Sequence, residues 1–195
     1  MSDDIRLIIG ITAGSLSLIA YILYNIAILR GTTRPSRATW WILTLVGFLI
    51  LASYYSEGAR TTIWVPLAYF IGPLVIALLS LKYGRGGWTR LDRFCFAGAV
   101  VSMVFWFLTS SALIALLINI FIDFLGLLPT IKKSYRWPRT EDKTAWIFEA
   151  VASLINLFAI QAWTFEIYVF PLYLVIVNGL IAMLLIRKKH RRRLK

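Results

Sequence analysis

The sequence predicts an all-α membrane protein with seven transmembrane helices, and three observations support this fold class. Hydrophobic residues make up 59% of the 195 residues, and the mean hydropathy is +0.76. The chain offers about seven apolar runs near the roughly 20 residues that one span needs. Basic residues are concentrated in every second connection between those runs. A water-soluble domain of this composition would expose much of its apolar surface to water, which is unfavourable.

The apolar runs give the predicted helices in chain order. The first run follows Asp3 and Asp4 rather than a basic region, and it is too long for a cleavable signal peptide, so we predict a retained first helix. The stretch 90–131 is too long for one span at about 1.5 Å per residue, so we divide it at Ser110. The predicted spans are 6–29, 39–55, 62–81, 90–109, 111–131, 144–161 and 166–187.

The charge pattern predicts the orientation of these spans. Of the 21 Lys and Arg residues, all but Arg6 and Arg60 lie near the connections after spans 1, 3 and 5 or in the C-terminal tail. Basic connections are cytoplasmic in membrane proteins, so we expect an external N-terminus and a cytoplasmic C-terminus in a multi-pass plasma-membrane protein. A six-span chain would break the alternation. The net charge of +12 then indicates contact with anionic lipid headgroups rather than with nucleic acid.

An internal repeat is visible within this single membrane domain. Residues 37–42 (RATWWI) resemble 143–148 (KTAWIF), and residues 66–69 (PLAY) resemble 171–174 (PLYL). The spacing from the shared Trp to the shared Pro is 26 residues in one copy and 25 in the other. Two copies of three spans separated by one connector have the same orientation in the membrane. We therefore predict two parallel three-helix bundles, joined by a connector helix and followed by a basic tail, with the boundaries 1–89, 90–110, 111–187 and 188–195.

This 3-1-3 layout resembles the SWEET sugar transporters, their half-size SemiSWEET relatives and the wider PQ-loop family. The local match is in the second copy, where residues 125–135 (LGLLPTIKKSY) are similar to the end of the family's first helix. Asn178 follows Pro171 by seven residues, and the resemblance implies that it contacts substrate. The sequence departs from the family pattern at Thr130, which stands in place of glutamine, and at Pro73, which stands in place of the asparagine.

Polar side chains inside the predicted spans are the candidate functional groups, because the bilayer makes them costly. Asp123 is the strongest candidate, since a carboxylate in mid-span costs about 2.5–3.5 kcal/mol on insertion scales. Asparagines between helices have a structural alternative, because they also form interhelical hydrogen bonds. Tryptophans at the ends of spans, including Trp40 and Trp146, are interpreted as interfacial anchors. The candidate substrate-binding residues are Asp123, Asn119, Asn156, Asn178, Glu149 and Tyr21.

These observations favour a secondary transporter that moves a small polar solute by alternating access. Cys95 and His190 are the single cysteine and histidine, so we expect no internal disulfide, no Cys/His zinc site, no cofactor and no enzymatic Ser-His-Asp triad. The alternative is a membrane scaffold that binds a partner through its basic face. A closed, polar cavity near the bilayer midplane between the two bundles would favour transport, and a dry, tightly packed interface between the bundles would favour the scaffold. The identity of the solute, proton coupling and a homo-oligomeric state remain open at this stage.

Overall fold

The structure is a computed structural model that describes residues 2–33, 35, 37–84, 87–109, 111–136, 138 and 141–187. For residues 91, 92, 107, 129 and 133 it describes the backbone alone. Several residues used in the sequence argument lie outside the described residues: Arg34, Arg85, Ser110, Trp137, Arg139, His190 and the rest of the tail 188–195.

The described residues form α-helices and contain no strand. The helices are α1 (Asp3–Leu29), α2 (Arg37–Ser56), α3 (Trp64–Tyr83), α4 (Arg90–Thr109), α5 (Ala112–Arg136), α6 (Lys143–Phe158) and α7 (Phe165–Ile186). Among these, α1, α2, α3, α5 and α7 are long and apolar enough to cross a bilayer. This confirms the prediction of an all-α membrane protein. Helix α4 has 20 residues, but the stretch of it whose side chains the structure describes without a gap, Arg93–Trp106, is shorter than a span. Helix α6 has 16 residues, so five helices meet the length criterion among the described residues.

Local sequence explains where several helices begin and end. Gly31 and Gly58 have positive φ angles of 72° and 91°, which glycine adopts without steric cost. After α1, the N–H of Gly31 donates to Ile28 O and that of Thr32 donates to Ala27 O, at 2.9 and 3.0 Å. This Schellman arrangement satisfies carbonyl groups that the helix end would leave unpaired. At the start of α6, Asp142 accepts a hydrogen bond from the backbone N–H of Ala145 at 2.9 Å, as an N-cap does.

The helix contacts follow a repeated pattern. Helix α3 packs against both α1 and α2, and α7 packs in the same way against both α5 and α6. Between the two halves, α1 contacts α6 and α2 contacts α5. Helix α4 packs against α5 and α2. We call the end of the bundle at which α1, α3 and α5 end the basic end, and the end with connections 57–63 and 159–164 the opposite end.

The bundle has an apolar core that also contains buried polar side chains, and it exposes large apolar side chains on its outside. Asn119, Asp123 and Asn156 are at most 1% exposed, whereas Leu108, Met183 and Phe158 are more than 60% exposed. In water this arrangement would carry a large hydrophobic cost. In a bilayer the same apolar side chains contact lipid, and polar groups make their hydrogen bonds between helices.

Candidate functional site

A partly open cavity of about 240 Å³ lies between the two halves of the bundle. Its lining extends from Asp123 and Tyr69 within the bundle to Pro35 and Glu141 in the connections of the basic end. We call the residues contributed by α1–α3 and their connections the N-terminal lining, and those contributed by α5–α7 and their connections the C-terminal lining.

The two linings use equivalent positions of the sequence repeat. Trp40 and Trp146, which the repeat aligns, both line the cavity and are 106 residues apart. Of the described lining residues, 18 form nine such pairs with a separation of 105 or 106 residues, and Asp123 is the one left over. The pairs are Ala20/Gly126, Tyr21/Leu127, Tyr24/Thr130, Pro35/Glu141, Thr39/Ala145, Trp40/Trp146, Leu43/Glu149, Tyr69/Leu174 and Pro73/Asn178.

Asp123 lies on α5 and is 1% exposed. Its two carboxylate oxygens accept hydrogen bonds from the hydroxyl groups of Tyr69 on α3 and Tyr173 on α7. The carboxylate therefore joins the two halves of the bundle, and it does so through neutral donors. Asn119, which shares its helix face, is not its partner. An ionised carboxylate offers about four acceptor sites, so these two bonds leave Asp123 with further capacity to accept.

Glu149 and Asn178 add two further polar groups to the C-terminal lining. Glu149 Oε1 accepts a hydrogen bond of 2.8 Å from the hydroxyl of Ser17 on α1. Asn178 Nδ2 donates to Ser153 Oγ at 2.9 Å. Ser17 is the position that the repeat aligns with Asp123, so the N-terminal copy supplies a donor where the C-terminal copy supplies an acceptor.

Aromatic side chains cover the part of the cavity toward the basic end. The rings of Tyr24 and Trp40 are 5.2 Å apart, and Trp146 Nε1 donates to Glu141 Oε2 at 3.5 Å. Tyr21 packs against Gly72, where an added Cβ would lie 2.1 Å from the ring. Trp40 and Trp146 line this cavity, and their interpretation as interfacial anchors stays a prediction.

Two of the predicted site residues do not line the cavity. Asn119 donates to Ser102 Oγ on α4 at 2.7 Å and to Ala115 O at 2.8 Å. Asn156 donates to Thr62 O at 3.4 Å, toward the opposite end of the bundle. The bond to Ser102 joins α5 to α4, and the bond to Thr62 joins α6 to the connection between α2 and α3. Tyr21, Asp123, Glu149 and Asn178 are the predicted residues that the structure brings together around one space.

Hydrogen bonds between the two halves close the bundle at the opposite end. Tyr54 Oη donates to Ile167 O at 2.6 Å and also contacts Thr62 Oγ1 at 2.8 Å. Thr61 Oγ1 donates to Ala159 O at 2.6 Å, and Gln161 Nε2 donates to Gly58 O at 2.9 Å. Tyr54 and Thr62 are fully buried. We call this set of contacts the opposite-end seal.

Phe170 lies between the seal and the cavity. It is fully buried, and its ring centroid is 5.7 Å from that of Tyr54 and 6.4 Å from those of Tyr69 and Tyr173. The cavity thus ends at an aromatic layer, beyond which the hydrogen-bonded connections begin.

Sequence reasoning missed Tyr69 and Tyr173, the two donors to Asp123. Tyr69 lies three residues after Pro66, and Tyr173 lies two residues after Pro171. The aligned prolines therefore indicated this region of the sequence, but not the direction in which the two tyrosine side chains point. Comparisons with protein-family models, with curated proteins and with solved structures find no match to this chain.

Proposed function

We propose that the chain is a secondary transporter or facilitator that moves a small polar solute through the cavity by alternating access. The observation that carries the proposal is the cavity itself, which is partly open rather than closed, has carboxylate and amide groups within a mainly apolar lining, and is formed by equivalent positions of both halves. Transporters built from repeats bind their solute at the interface between the repeats, and movement of one half against the other changes the accessible side.

The repeated helix contacts and the nine lining pairs support the 3-1-3 layout, with α1–α3 and α5–α7 as parallel bundles and α4 as connector. Helices α4 and α6 are included as spans because their outward faces are apolar. Phe94 and Leu108 on α4 and Leu154 and Phe158 on α6 are each at least half exposed. Side chains of this kind favour lipid as their surroundings.

The orientation follows from the basic end, which we propose faces the cytoplasm. Reporter fusions after Arg37, Arg90 and Lys143 and at the C-terminus should then give cytoplasmic signals. Fusions near Glu57 and Glu166 and between α4 and α5 should give external signals. A cytoplasmic signal between α4 and α5 would contradict the seven-span layout.

The two ends of the bundle support transport over the alternative of a non-transporting scaffold. A scaffold requires no cavity with polar groups inside the bundle. In this bundle, carboxylate and amide groups line a cavity. The opposite-end seal consists of hydrogen bonds between the halves that can break and reform. This arrangement corresponds to one state of an alternating-access cycle, with access from the basic end.

Uptake into proteoliposomes tests the proposal. Purified protein should accelerate the entry of at least one small polar solute over protein-free vesicles, with saturation. The rate should fall to background in Asp123→Asn and remain normal in Asp4→Asn, which changes an exposed carboxylate at the start of α1. Absence of uptake across sugars, amines, amino acids and small anions would favour the scaffold.

A further inference from the structure

Two carboxylates of the cavity have no compensating cation among the described residues. Asp123 and Glu149 line the cavity, and none of the described residues that line it is Lys, Arg or His. Asp123 and Glu149 form no ion pair within the part of the chain that the structure describes. Their described partners are the hydroxyls of tyrosine and serine, which are neutral. Inside a membrane protein, acidic groups usually pair with one another, with cations or with a substrate.

The hydrogen-bonding inventory of the cavity also has an excess of acceptors. Asp123 uses two of the roughly four acceptor sites of a carboxylate, and Glu149 uses one in the bond with Ser17. Asn178 uses one N–H on Ser153, and its amide oxygen accepts no bond from a described residue. A ligand that complements these groups carries several N–H donors and a positive charge.

Aromatic rings make the rest of the surface suitable for a cation. Trp40, Trp146, Tyr21 and Tyr24 line the cavity toward the basic end. The face of an indole or phenol ring attracts ammonium groups, by about 0.5–2 kcal/mol depending on desolvation. A sugar would also pack against such rings, but its hydroxyls would leave the carboxylates without a counter-charge. An amino acid would bring a carboxylate of its own, for which the described lining offers no cation.

We propose that the solute is a small organic ammonium ion that carries no carboxylate, held by Glu149 and Asp123 with its alkyl part against Trp40 and Trp146. The inference rests on the proposed function, because it uses the same cavity. The cavity, of about 240 Å³, is slightly smaller than the roughly 300–1,000 Å³ of typical small-molecule sites, so it suits a small solute.

Ligand binding to the full chain in a non-ionic detergent tests this inference. The probes are 1,4-diaminobutane, its neutral isostere butane-1,4-diol, the zwitterion 4-aminobutanoate and glucose. We expect 1,4-diaminobutane to raise the unfolding temperature saturably, since a ligand of the native state stabilises by mass action. The other three probes should produce at most a small shift. Glu149→Gln should weaken 1,4-diaminobutane binding by about tenfold to a hundredfold, and Glu57→Gln, at the opposite end, should leave it unchanged.

Three other results would contradict parts of the argument separately. No saturable shift with 1,4-diaminobutane overturns the ammonium proposal. Tighter binding of glucose or the diol, unaffected by Glu149→Gln, overturns it as well but leaves a transporter of neutral solutes standing. Binding of 1,4-diaminobutane that depends on Glu149, without its uptake into proteoliposomes, supports the ammonium site and removes the transport proposal.

Discussion

The N-terminal and C-terminal linings of the cavity occupy equivalent positions but differ in chemistry. Where the C-terminal lining has Glu141, Glu149 and Asn178, the N-terminal lining has Pro35, Leu43 and Pro73. The two tryptophans, by contrast, are retained in both linings. A duplicated framework can therefore keep one tryptophan in both copies while its lining tyrosines come from the N-terminal copy and its lining carboxylate and amide groups from the C-terminal copy. Under the proposed function, solute recognition would therefore reside mainly in α5–α7 and their connections, and α1–α3 would supply a complementary wall.

The largest effect on uptake is expected for a substitution of Asp123, which is the described lining residue whose equivalent in the repeat, Ser17, does not line the cavity. Asp123→Asn is isosteric and removes a charge that the membrane makes costly, so expression and folding should stay near normal. An amide cannot accept hydrogen bonds from Tyr69 and Tyr173 on both of its polar atoms. We expect uptake at background level in proteoliposomes, with Asp4→Asn as the control. Normal uptake by Asp123→Asn would show that the C-terminal lining is not the recognising side.

The shared aromatics should give smaller and equal effects. Trp40→Leu and Trp146→Leu should each weaken binding of 1,4-diaminobutane by about twofold to fivefold, as expected for the loss of one cation–π contact. Calorimetric titration of both variants provides the measurement, and Trp163→Leu, which changes an exposed Trp at the opposite end, is the matched control. A loss confined to Trp146 would mean that the asymmetry of the two linings extends to the aromatic groups.

The opposite-end seal should affect stability more than affinity. Tyr54→Phe keeps the buried ring but leaves Ile167 O without its donor, at a cost of about 1–3 kcal/mol. We expect thermal unfolding at a temperature several degrees lower, given about 2–4 °C per kcal/mol for a chain of this size. Tyr55→Phe, at the exposed neighbouring position, should leave the unfolding temperature unchanged. Equal behaviour of the two variants would argue against the seal as a stabilising contact.

The smallest effect on binding is expected for an asparagine outside the cavity. Asn119→Ala removes the hydrogen bond to Ser102, and such interhelical bonds contribute about 0.6 kcal/mol on average. Its affinity for 1,4-diaminobutane should equal that of the unmodified chain, whereas Asn178→Ala should weaken binding. Calorimetric titration of the two variants in parallel compares the asparagine that bonds to α4 with the asparagine that lines the cavity. Weaker binding by Asn119→Ala would mean that the binding site extends beyond the cavity.

The sequence was sufficient for the helices and for part of the site. Predicted span 90–109 coincides with α4, and α1 begins three residues before its predicted start. Helix α5 continues to Arg136 instead of ending at 131, because hydropathy marks the apolar length of a helix and not its polar extension. Conversely, α6 ends at Phe158 rather than at 161, and Asn156 O and Leu157 O accept the N–H of the capping residue Ala159.

The site required information that periodicity does not contain. Asp123 and Glu149 were recognisable because a carboxylate within an apolar run is conspicuous. Tyr69 and Tyr173 were not, since tyrosine is common in membrane helices and its partner lies on another helix. Trp40 and Trp146 were assigned to the bilayer interface because that is where tryptophan is enriched. Their role in the cavity depends on the contacts between α1 and α6 and between α2 and α5, which local sequence does not specify.

The opposite-end seal has a consequence for mutational tolerance. Its acceptors at Ile167, Ala159 and Gly58 are main-chain carbonyls, which every amino acid possesses. Substitutions at these positions change the side chain but retain the acceptor. The hydrogen bonds of the seal therefore depend on the side-chain identity of their donors, Tyr54, Thr61 and Gln161. A saturation library should show this as a contrast, with narrow tolerance at the three donors, tolerance for other apolar residues of similar size at Ile167, and tolerance for small residues at Ala159, which is fully buried.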